Sequence, residues 1–332
     1  MNKLIISGSP HVQTDESVKK IMYGVVLSLV PAMLVSFYFF GLAAILITLT
    51  AVVSCMAFEF VIQKYLIKGP LTILDGSAII TGILLAFNVP SSLPLWMVVI
   101  GSAVAIGMGK MTFGGLGKNP FNPALVGRVF LMISFPVEMT NWPKPIAFST
   151  QLTDVVTGPT PLAVMKEGVS QGEHVADILP EIPGYVNLLL GNMGGSIGEI
   201  SALAIILGGL YMLVRKIITW QIPAAYLGSV VVFSGVFWLI DPTQYVDPLF
   251  HLITGGLMLG AIYMATDMVT SPMSHRGQLV FGIGCGVLTM VIRLFGAYPE
   301  GVSFAILIMN AFVPLINKGF KPKRFGEEVK HG

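Results

Sequence analysis

The stretch DVVTGPTPL at residues 154–162 holds a threonine, Thr160, between two prolines. Proline fixes its own backbone angle and restricts the preceding residue to extended conformations. This pattern therefore predicts an extended, exposed Thr160 hydroxyl. The bland alternative is a turn with no further role, because these residue types are common in turns.

A second stretch, FGGLGKNPFNPALVGR at residues 113–128, combines glycines with two asparagines, Asn119 and Asn122, before a segment that contains Arg128. Carboxamides both donate and accept hydrogen bonds, which suits the edge of a planar heterocycle. The alternative is a re-entrant turn in which the asparagines cap a helix. The residues alone favour the turn.

Several ionisable residues lie within or beside apolar segments, where charges are costly and commonly functional. Asp75 and Asp267 occupy similar polar breaks, and we weigh helix capping and an ion pathway equally for both. Glu300 is a third candidate for ion contact. Glu59 lies near the end of an apolar segment, so we expect its carboxylate to reach the membrane surface.

Metal chemistry is not indicated by the sequence. The two cysteines are far apart in apolar runs and the five histidines are dispersed, so no metal-ligand spacing occurs. The sequence also contains no catalytic triad, Walker loop or dinucleotide fingerprint. We therefore predict neither a metal site nor a catalytic residue in this chain.

Composition defines the class of protein. Of 332 residues, 54% are hydrophobic and 11% are charged, against about 25% charged in soluble domains. A membrane helix needs about 20 apolar residues, and the sequence predicts an all-α membrane protein with about ten spans. These spans lie near 21–40, 42–63, 74–89, 93–110, 121–137, 197–214, 222–240, 249–266, 277–293 and 299–317.

Charge distribution predicts the orientation. With a cytoplasmic amino terminus, nearly all lysines and arginines fall on the cytoplasmic side, and only Lys144, Lys166 and Arg293 fall outside. Both termini are then cytoplasmic. Five spans on each side of a long external loop are typical of an inverted repeat. The predicted division begins with a cytoplasmic tail at 1–20 and a first five-helix repeat at 21–137. A periplasmic loop at 138–195 follows, then a second, inverted repeat at 196–317 and a cytoplasmic tail at 318–332.

Six ordered stretches resemble the family that contains the D subunit of Rnf electron-transport complexes and, more distantly, the B subunit of the sodium-pumping NADH:quinone reductase. The sequence lacks the long polar amino-terminal extension of the quinone-reductase protein, which favours the Rnf member. The stretches are DGSAIITGILLAFNVP, FGGLGKNPFNPALVGR, DVVTGPTPL, GNMGGSIGEISA, ATDMVTSP and YPEGVSFAILIMN.

The resemblance implies covalent FMN, joined through its phosphate to a threonine in a D-x-x-[ST]-G-[AS]-T pattern. Here Asp154, Thr157 and Gly158 match the pattern, and Thr160 is the implied attachment residue. Pro159 replaces the usual alanine, which puts recognition by the flavin transferase in doubt.

The resemblance also implies non-covalent riboflavin at Asn119 and Asn122, and a urea-transporter-like inverted repeat. The implied protein is an electron carrier of the bacterial inner membrane, in a ferredoxin:NAD oxidoreductase complex that moves Na⁺ or H⁺. Its expected partners are Rnf subunits A, B, C, E and G and a flavin transferase. The alternatives are a solute channel without redox function and a quinone-reductase subunit.

Overall fold

The computed structural model describes residues 16–69, 71–148, 157–198 and 201–321. Helix α1, Val18–Val61, is 44 residues long and continues into a π-helical segment, Ile62–Ile67. Its residue Gly41 has a backbone φ of 57° and ψ of −137°, a conformation that glycine adopts without a side-chain clash. Gly41 therefore divides α1 into two arms, which correspond to the first two predicted spans.

The other helices before residue 140 are shorter. Their limits are Ser77–Phe87 for α2, Leu95–Gly107 for α3, Pro123–Ser134 for α4 and Pro136–Met139 for α5. Short 3₁₀ segments at Ile73–Asp75 and Met111–Phe113 precede α2 and follow α3. All three remaining predicted spans of the first half thus correspond to helices.

The segment 138–195, predicted as a loop, is folded in its described part. Strand β1, Trp142–Pro143, pairs antiparallel with β2, Thr157–Gly158. Helices α6, α7 and α8 follow at Pro161–Ser170, Val175–Ile178 and Tyr185–Leu190. Their apolar side chains form a separate core with Val246, Phe250 and Ile253. This core fixes the segment against the second half.

The second half consists of α9, Ala202–Val214, α10, Gln221–Ile240, α11, Pro248–Ile253, α12, Leu257–Leu259, α13, His275–Phe295, and α14, Val302–Gly319. The prediction of one continuous span over 249–266 is wrong. The chain leaves the helical conformation at Thr254, and Gly255 has a φ of 64°. Arg293 donates from its guanidinium nitrogens to the carbonyls of His251 and Thr254 at 2.7 and 3.0 Å. These bonds satisfy backbone acceptors that the break exposes.

Five helical segments in the described part of the chain are long and apolar enough to cross a membrane: Val18–Ile67, Leu95–Phe113, Gln221–Ile240, His275–Phe295 and Val302–Gly319. The apolar helices α2, α4 and α9 are shorter. The chain is a predominantly helical, multi-pass membrane protein.

Close contacts between helices depend on small residues. A Cβ atom at Gly208 of α9 would lie 2.1 Å from the Ser28 carbonyl oxygen of α1 and 2.0 Å from the Tyr263 hydroxyl. That hydroxyl donates to the same carbonyl at 2.8 Å. Since helices in a membrane associate mainly by close packing, Gly208 is required where the two halves meet.

Candidate cofactor sites

Thr160 begins α6 as its N-cap. Its backbone is extended, with φ of −70° and ψ of 157°, as predicted. The predicted exposure of its hydroxyl is wrong, however, since the residue is only 5% exposed and Oγ1 accepts a hydrogen bond from the Ala163 amide at 3.2 Å. A threonine followed by proline at the first helical position is a common helix start. The sequence TPLAV at residues 160–164 therefore predicts a helix that begins with Thr160 as its N-cap.

The rest of the attachment pattern is partly described. Thr157 and Pro159 are exposed, Gly158 is half-buried in β2, and Asp154 lies outside the described residues. The Lys144 side chain packs over Gly158. Its Cε atom lies 3.0 Å from the position that a Cβ atom at residue 158 would take.

A cleft of about 440 Å³, which we call the threonine cleft, lies beside this hairpin. Its wall includes both neighbours of Thr160, and its polar lining comes from one cation, one carboxylate and one amide side chain. The lining includes Lys144, Gly158, Pro159, Pro161, Glu181 and Asn192. The cleft can therefore hold a polar planar group next to Thr160.

Asn119 and Asn122 line one cavity of about 100 Å³, which we call the asparagine cavity. Asn122 also caps α4, since its Oδ1 accepts from the Ala124 amide at 3.1 Å, and its Nδ2 donates to the Met264 carbonyl at 3.2 Å. Asn119 Nδ2 donates to the Phe121 carbonyl at 3.1 Å. Asn122 therefore both caps α4 and lines the cavity, and Asn119 lines the cavity while its amide nitrogen binds the backbone nearby.

The two aspartates at the polar breaks both bind nearby donors. Asp75 Oδ1 accepts from the amide and the hydroxyl of Ser77, at 2.8 and 2.5 Å, in the turn that leads into α2. Asp267 lines the asparagine cavity and accepts from the Val269 amide and the Thr270 hydroxyl at 3.3 and 3.1 Å. Each carboxylate thus orders the turn that contains it.

Glu300 belongs to a buried group that joins the two halves, which we call the central cluster: Asn88, Arg128, Glu300 and Ser303. Arg128 forms an ion pair with Glu300, and their side chains are only 3% and 8% exposed. Arg128 also donates to Asn88 Oδ1 at 2.9 Å and to Ser303 Oγ at 2.7 Å. The charge of Glu300 is therefore balanced within the protein.

A second buried ion pair was missed by sequence reasoning. Glu59 Oε2 lies 2.7 Å from Lys110 Nζ, and their side chains are 0% and 2% exposed. The expectation that Glu59 reaches the membrane surface is therefore wrong. Gln63 Nε2 donates to its other oxygen at 3.0 Å. The predicted topology did indicate that this pair was possible. The second and fourth predicted spans end on the same side of the membrane, so Glu59 and Lys110 lie at a similar depth in it.

The asparagine cavity and the 138–195 segment lie at opposite ends of the first arm of α1. Met22 lines the cavity, and the carbonyl of Phe39 accepts from the Ile146 amide at 2.9 Å. A helix rises about 1.5 Å per residue, so these contacts are roughly 25 Å apart along the helix. Lys144, two residues before Ile146, lines the threonine cleft, so the two candidate sites lie towards opposite ends of this arm.

The fold and these sites define a class: a helical membrane protein with buried polar clusters and with two cavities that lie towards opposite ends of the first arm of α1. In the parts of the chain that the structure describes, no three His, Cys, Asp or Glu residues are grouped to hold a metal. The chain belongs to the NQR2, RnfD, RnfE family, whose model matches residues 5–326.

Three relatives match nearly the whole chain. The chain is 45% identical to the D subunit of the proton-translocating ferredoxin:NAD(+) oxidoreductase complex of Clostridium ljungdahlii, over 98% of this chain and 97% of the relative. It is 44% identical to the D subunit of the Na(+)-translocating ferredoxin:NAD(+) oxidoreductase complex of Acetobacterium woodii, over 97% and 95%. It is 42% identical to the D subunit of the ion-translocating oxidoreductase complex of Stutzerimonas stutzeri, over 95% and 94%.

Proposed function

We propose that the chain is a membrane electron-carrier subunit of a ferredoxin:NAD oxidoreductase complex that translocates ions. The observation that carries this proposal is end-to-end similarity, at 44–45% identity, to the D subunits of two complexes named for that activity. The other subunits of such a complex, A, B, C, E and G, are the proposed partners. The chain contributes to the activity of the complex and is not an enzyme by itself.

Electron transfer in this subunit would use two flavins, since organic cofactors supply one-electron chemistry that side chains lack. FMN would be esterified to Thr160 by a flavin transferase, and riboflavin would bind non-covalently at Asn119 and Asn122. The asparagine cavity and the 138–195 segment contact α1 at positions roughly 25 Å apart along the helix. This separation supports a relay in which each flavin serves one face of the membrane.

The threonine cleft supports the covalent site. Its volume of about 440 Å³ lies within the roughly 300–1,000 Å³ of typical small-molecule pockets. Lys144 offers a positive charge for a phosphodiester. Because the Thr160 hydroxyl is buried as a cap, the transferase must act while the first turn of α6 is open.

The asparagine cavity suits a flavin by its chemistry. Aliphatic side chains would cover the ring faces, and the Asn119 carboxamide would meet a polar ring edge. Its free space of about 100 Å³ is smaller than the typical pocket range quoted above. Met22, Met212 and Met268 line the cavity, and unbranched methionine side chains readily change conformation to widen such a site.

The coupling ion does not follow from similarity. Relatives at 45% and 44% identity are named for protons and for Na⁺, respectively. Asp75, Asp267 and Glu300 remain proposed ion contacts, but Glu300 would first have to leave its ion pair with Arg128. Ion uptake in vesicles with and without Na⁺ would identify the ion.

The test of the covalent flavin compares Thr160→Asn with Thr157→Ser in cells that express the transferase. Asparagine preserves an N-cap but cannot form the ester, and serine at 157 keeps the attachment pattern. We expect flavin fluorescence on denaturing gels, and an intact mass increased by FMN minus water, in wild type and Thr157→Ser only. Fluorescence that persists in Thr160→Asn would refute the assignment.

We further infer an inner-membrane protein with an inverted repeat, cytoplasmic termini and an external 138–195 segment. The native cysteines, Cys55 and Cys285, are buried, so introduced cysteines can report the orientation. An impermeant maleimide should label Glu173→Cys in intact cells, and Met273→Cys only after permeabilisation. The reverse pattern would contradict this orientation, and a complex purified without flavin absorbance would favour the channel alternative.

A further inference from the structure

Three side chains form a continuous hydrogen-bonded series, which we call the polar chain: Asp75, Ser77 and Lys110. Lys110 Nζ lies 2.7 Å from Ser77 Oγ, and Ser77 Oγ lies 2.5 Å from Asp75 Oδ1. Ser77 and Lys110 line the asparagine cavity. Asp75 is half-buried beside exposed Leu74. The polar chain therefore runs from the cavity wall towards the protein surface.

Stability does not account for the ammonium group at the inner end of the polar chain. Bringing Lys110 and Glu59 out of water costs several kcal/mol per ion, and apolar replacements for such pairs are often neutral or stabilising. Gln63 adds a bond to Glu59, and it also accepts from the Thr72 amide at 2.9 Å. The protein thus holds the Glu59–Lys110 ion pair at the edge of a cavity.

The start of α2 aligns the polar chain. The Asp75 carboxylate accepts from both the backbone amide and the hydroxyl of Ser77, the first residue of α2, so this turn also orients the Ser77 hydroxyl. A hydroxyl can accept one proton while it donates another. Ser77 is therefore suited to carry a proton between a carboxylate and an amine.

We propose that the polar chain delivers protons from the surface to a ligand in the asparagine cavity. This inference rests on the proposed function, in which that ligand is a flavin. With Asp75 first protonated from solvent, Lys110 would give one proton to a flavin that takes up an electron from the proposed relay, and its Nζ would become a neutral amine. The Ser77 hydroxyl would then turn from Asp75 and give its proton to Lys110 Nζ. The carboxyl proton of Asp75 would replace it on the Ser77 oxygen, and Asp75 would take the next proton from solvent.

The charges around Lys110 support this direction of transfer. Glu59 and the Cys55 thiol face it from α1, and Asp267 lines the same cavity from the second half. Glu59 accepts from both Gln63 and Lys110, so it favours return of the lysine to its charged form after each transfer. Among the residues that the structure describes, Asp75 is the carboxylate connected to Lys110 through a hydroxyl, which makes it the entry point.

The test uses the assembled, flavin-loaded complex with three variants: Ser77→Ala, Asp75→Asn and Thr112→Ala. In Asp75→Asn the new carboxamide oxygen would still accept from the Ser77 amide but could not release a carboxylic proton. The Thr112 hydroxyl donates to the Gly107 carbonyl at 2.7 Å, outside the polar chain and outside the lining of the asparagine cavity. Thr112→Ala is therefore a matched control for a lost hydroxyl.

The measurements are the extracted non-covalent flavin per chain, its midpoint potential, and its reduction rate in H₂O and D₂O by stopped-flow absorbance. We expect Ser77→Ala and Asp75→Asn to slow reduction by about 100-fold, as for loss of a positioned proton donor, with a larger solvent isotope effect. Flavin content and midpoint potential should stay at wild-type values. Formic acid added as a small proton donor should accelerate Asp75→Asn but not Thr112→Ala.

The outcomes separate the two proposals. Wild-type reduction rates in Ser77→Ala and Asp75→Asn, with full flavin content, would overturn the proton path and leave the electron-carrier function standing. Loss of flavin from these variants would assign the polar chain a structural role and also overturn the proton path. A wild-type complex that yields no non-covalent flavin would overturn both.

Discussion

The central cluster predicts a strong energetic coupling between Arg128 and Glu300. Arg128→Gln leaves the Glu300 carboxylate buried without its cation, and Glu300→Gln leaves the guanidinium without its anion. Either change should cost about 3–5 kcal/mol, the typical penalty for breaking a buried ion pair. In Arg128→Gln/Glu300→Gln neither charge remains, and the glutamines can still hydrogen-bond with Asn88 and Ser303. The double variant should therefore lose much less stability than the sum of the two single variants.

The two buried cysteines provide the assay, because a thiol-reactive dye becomes fluorescent as unfolding exposes Cys55 and Cys285. At roughly 2 °C per kcal/mol for a large domain, each single variant in lipid nanodiscs should melt about 6–10 °C below wild type. Arg215→Gln is the control, since Arg215 is exposed and surface changes usually stay within about 0.5 kcal/mol.

Two results would refute the reasoning. If the single variants had the same melting temperature as wild type, removing one partner would not leave a costly unpaired charge in the protein. A double variant that melts as low as the sum of the single losses would show that the two residues act independently rather than as a pair.

Two further predictions concern packing and pH. Gly208→Ala should destabilise the fold by about 1–3 kcal/mol through overpacking, seen as a lower melting temperature and yield, whereas Gly228→Ala, with open space at its Cβ position, should not. Burial, followed by the hydrogen bond to Asp247, raises the pKa of Tyr185 well above its ordinary value. The neutral phenol makes this contact, so its stabilisation should be complete below about pH 10 and lost as pH rises through the raised pKa. Phenolate absorbance of wild type minus Tyr185→Phe should show this late titration, and a midpoint at or below pH 10 would contradict it.

The positions of the helices could be predicted because apolar length is a local property. Every predicted span contains helix, and Gly41 falls at the predicted boundary between the first two. The break at Thr254–Gly255 was missed because it depends on Arg293, which is about 40 residues away and donates to the carbonyls released there. Local hydrophobicity carries no information about such a partner.

The candidate sites divide in the same way. Asn119 and Asn122 follow from one short stretch, and the structure brings both to one cavity. The Glu59–Lys110 and Arg128–Glu300 pairs join residues 51 and 172 positions apart, so only the packing of the helices reveals them. The buried cap at Thr160 is a local feature, since a threonine before proline predicts a helix N-cap as readily as an exposed turn.

The central cluster also bears on how the protein works. A transporter that alternates between inward-open and outward-open states must let its two halves rock against each other, and each cycle would tear Arg128 away from Glu300 and Ser303. Electron tunnelling has the opposite requirement, because its rate depends steeply on a constant gap between cofactors. The central cluster, which holds the two halves together by an ion pair and hydrogen bonds, would keep that gap constant.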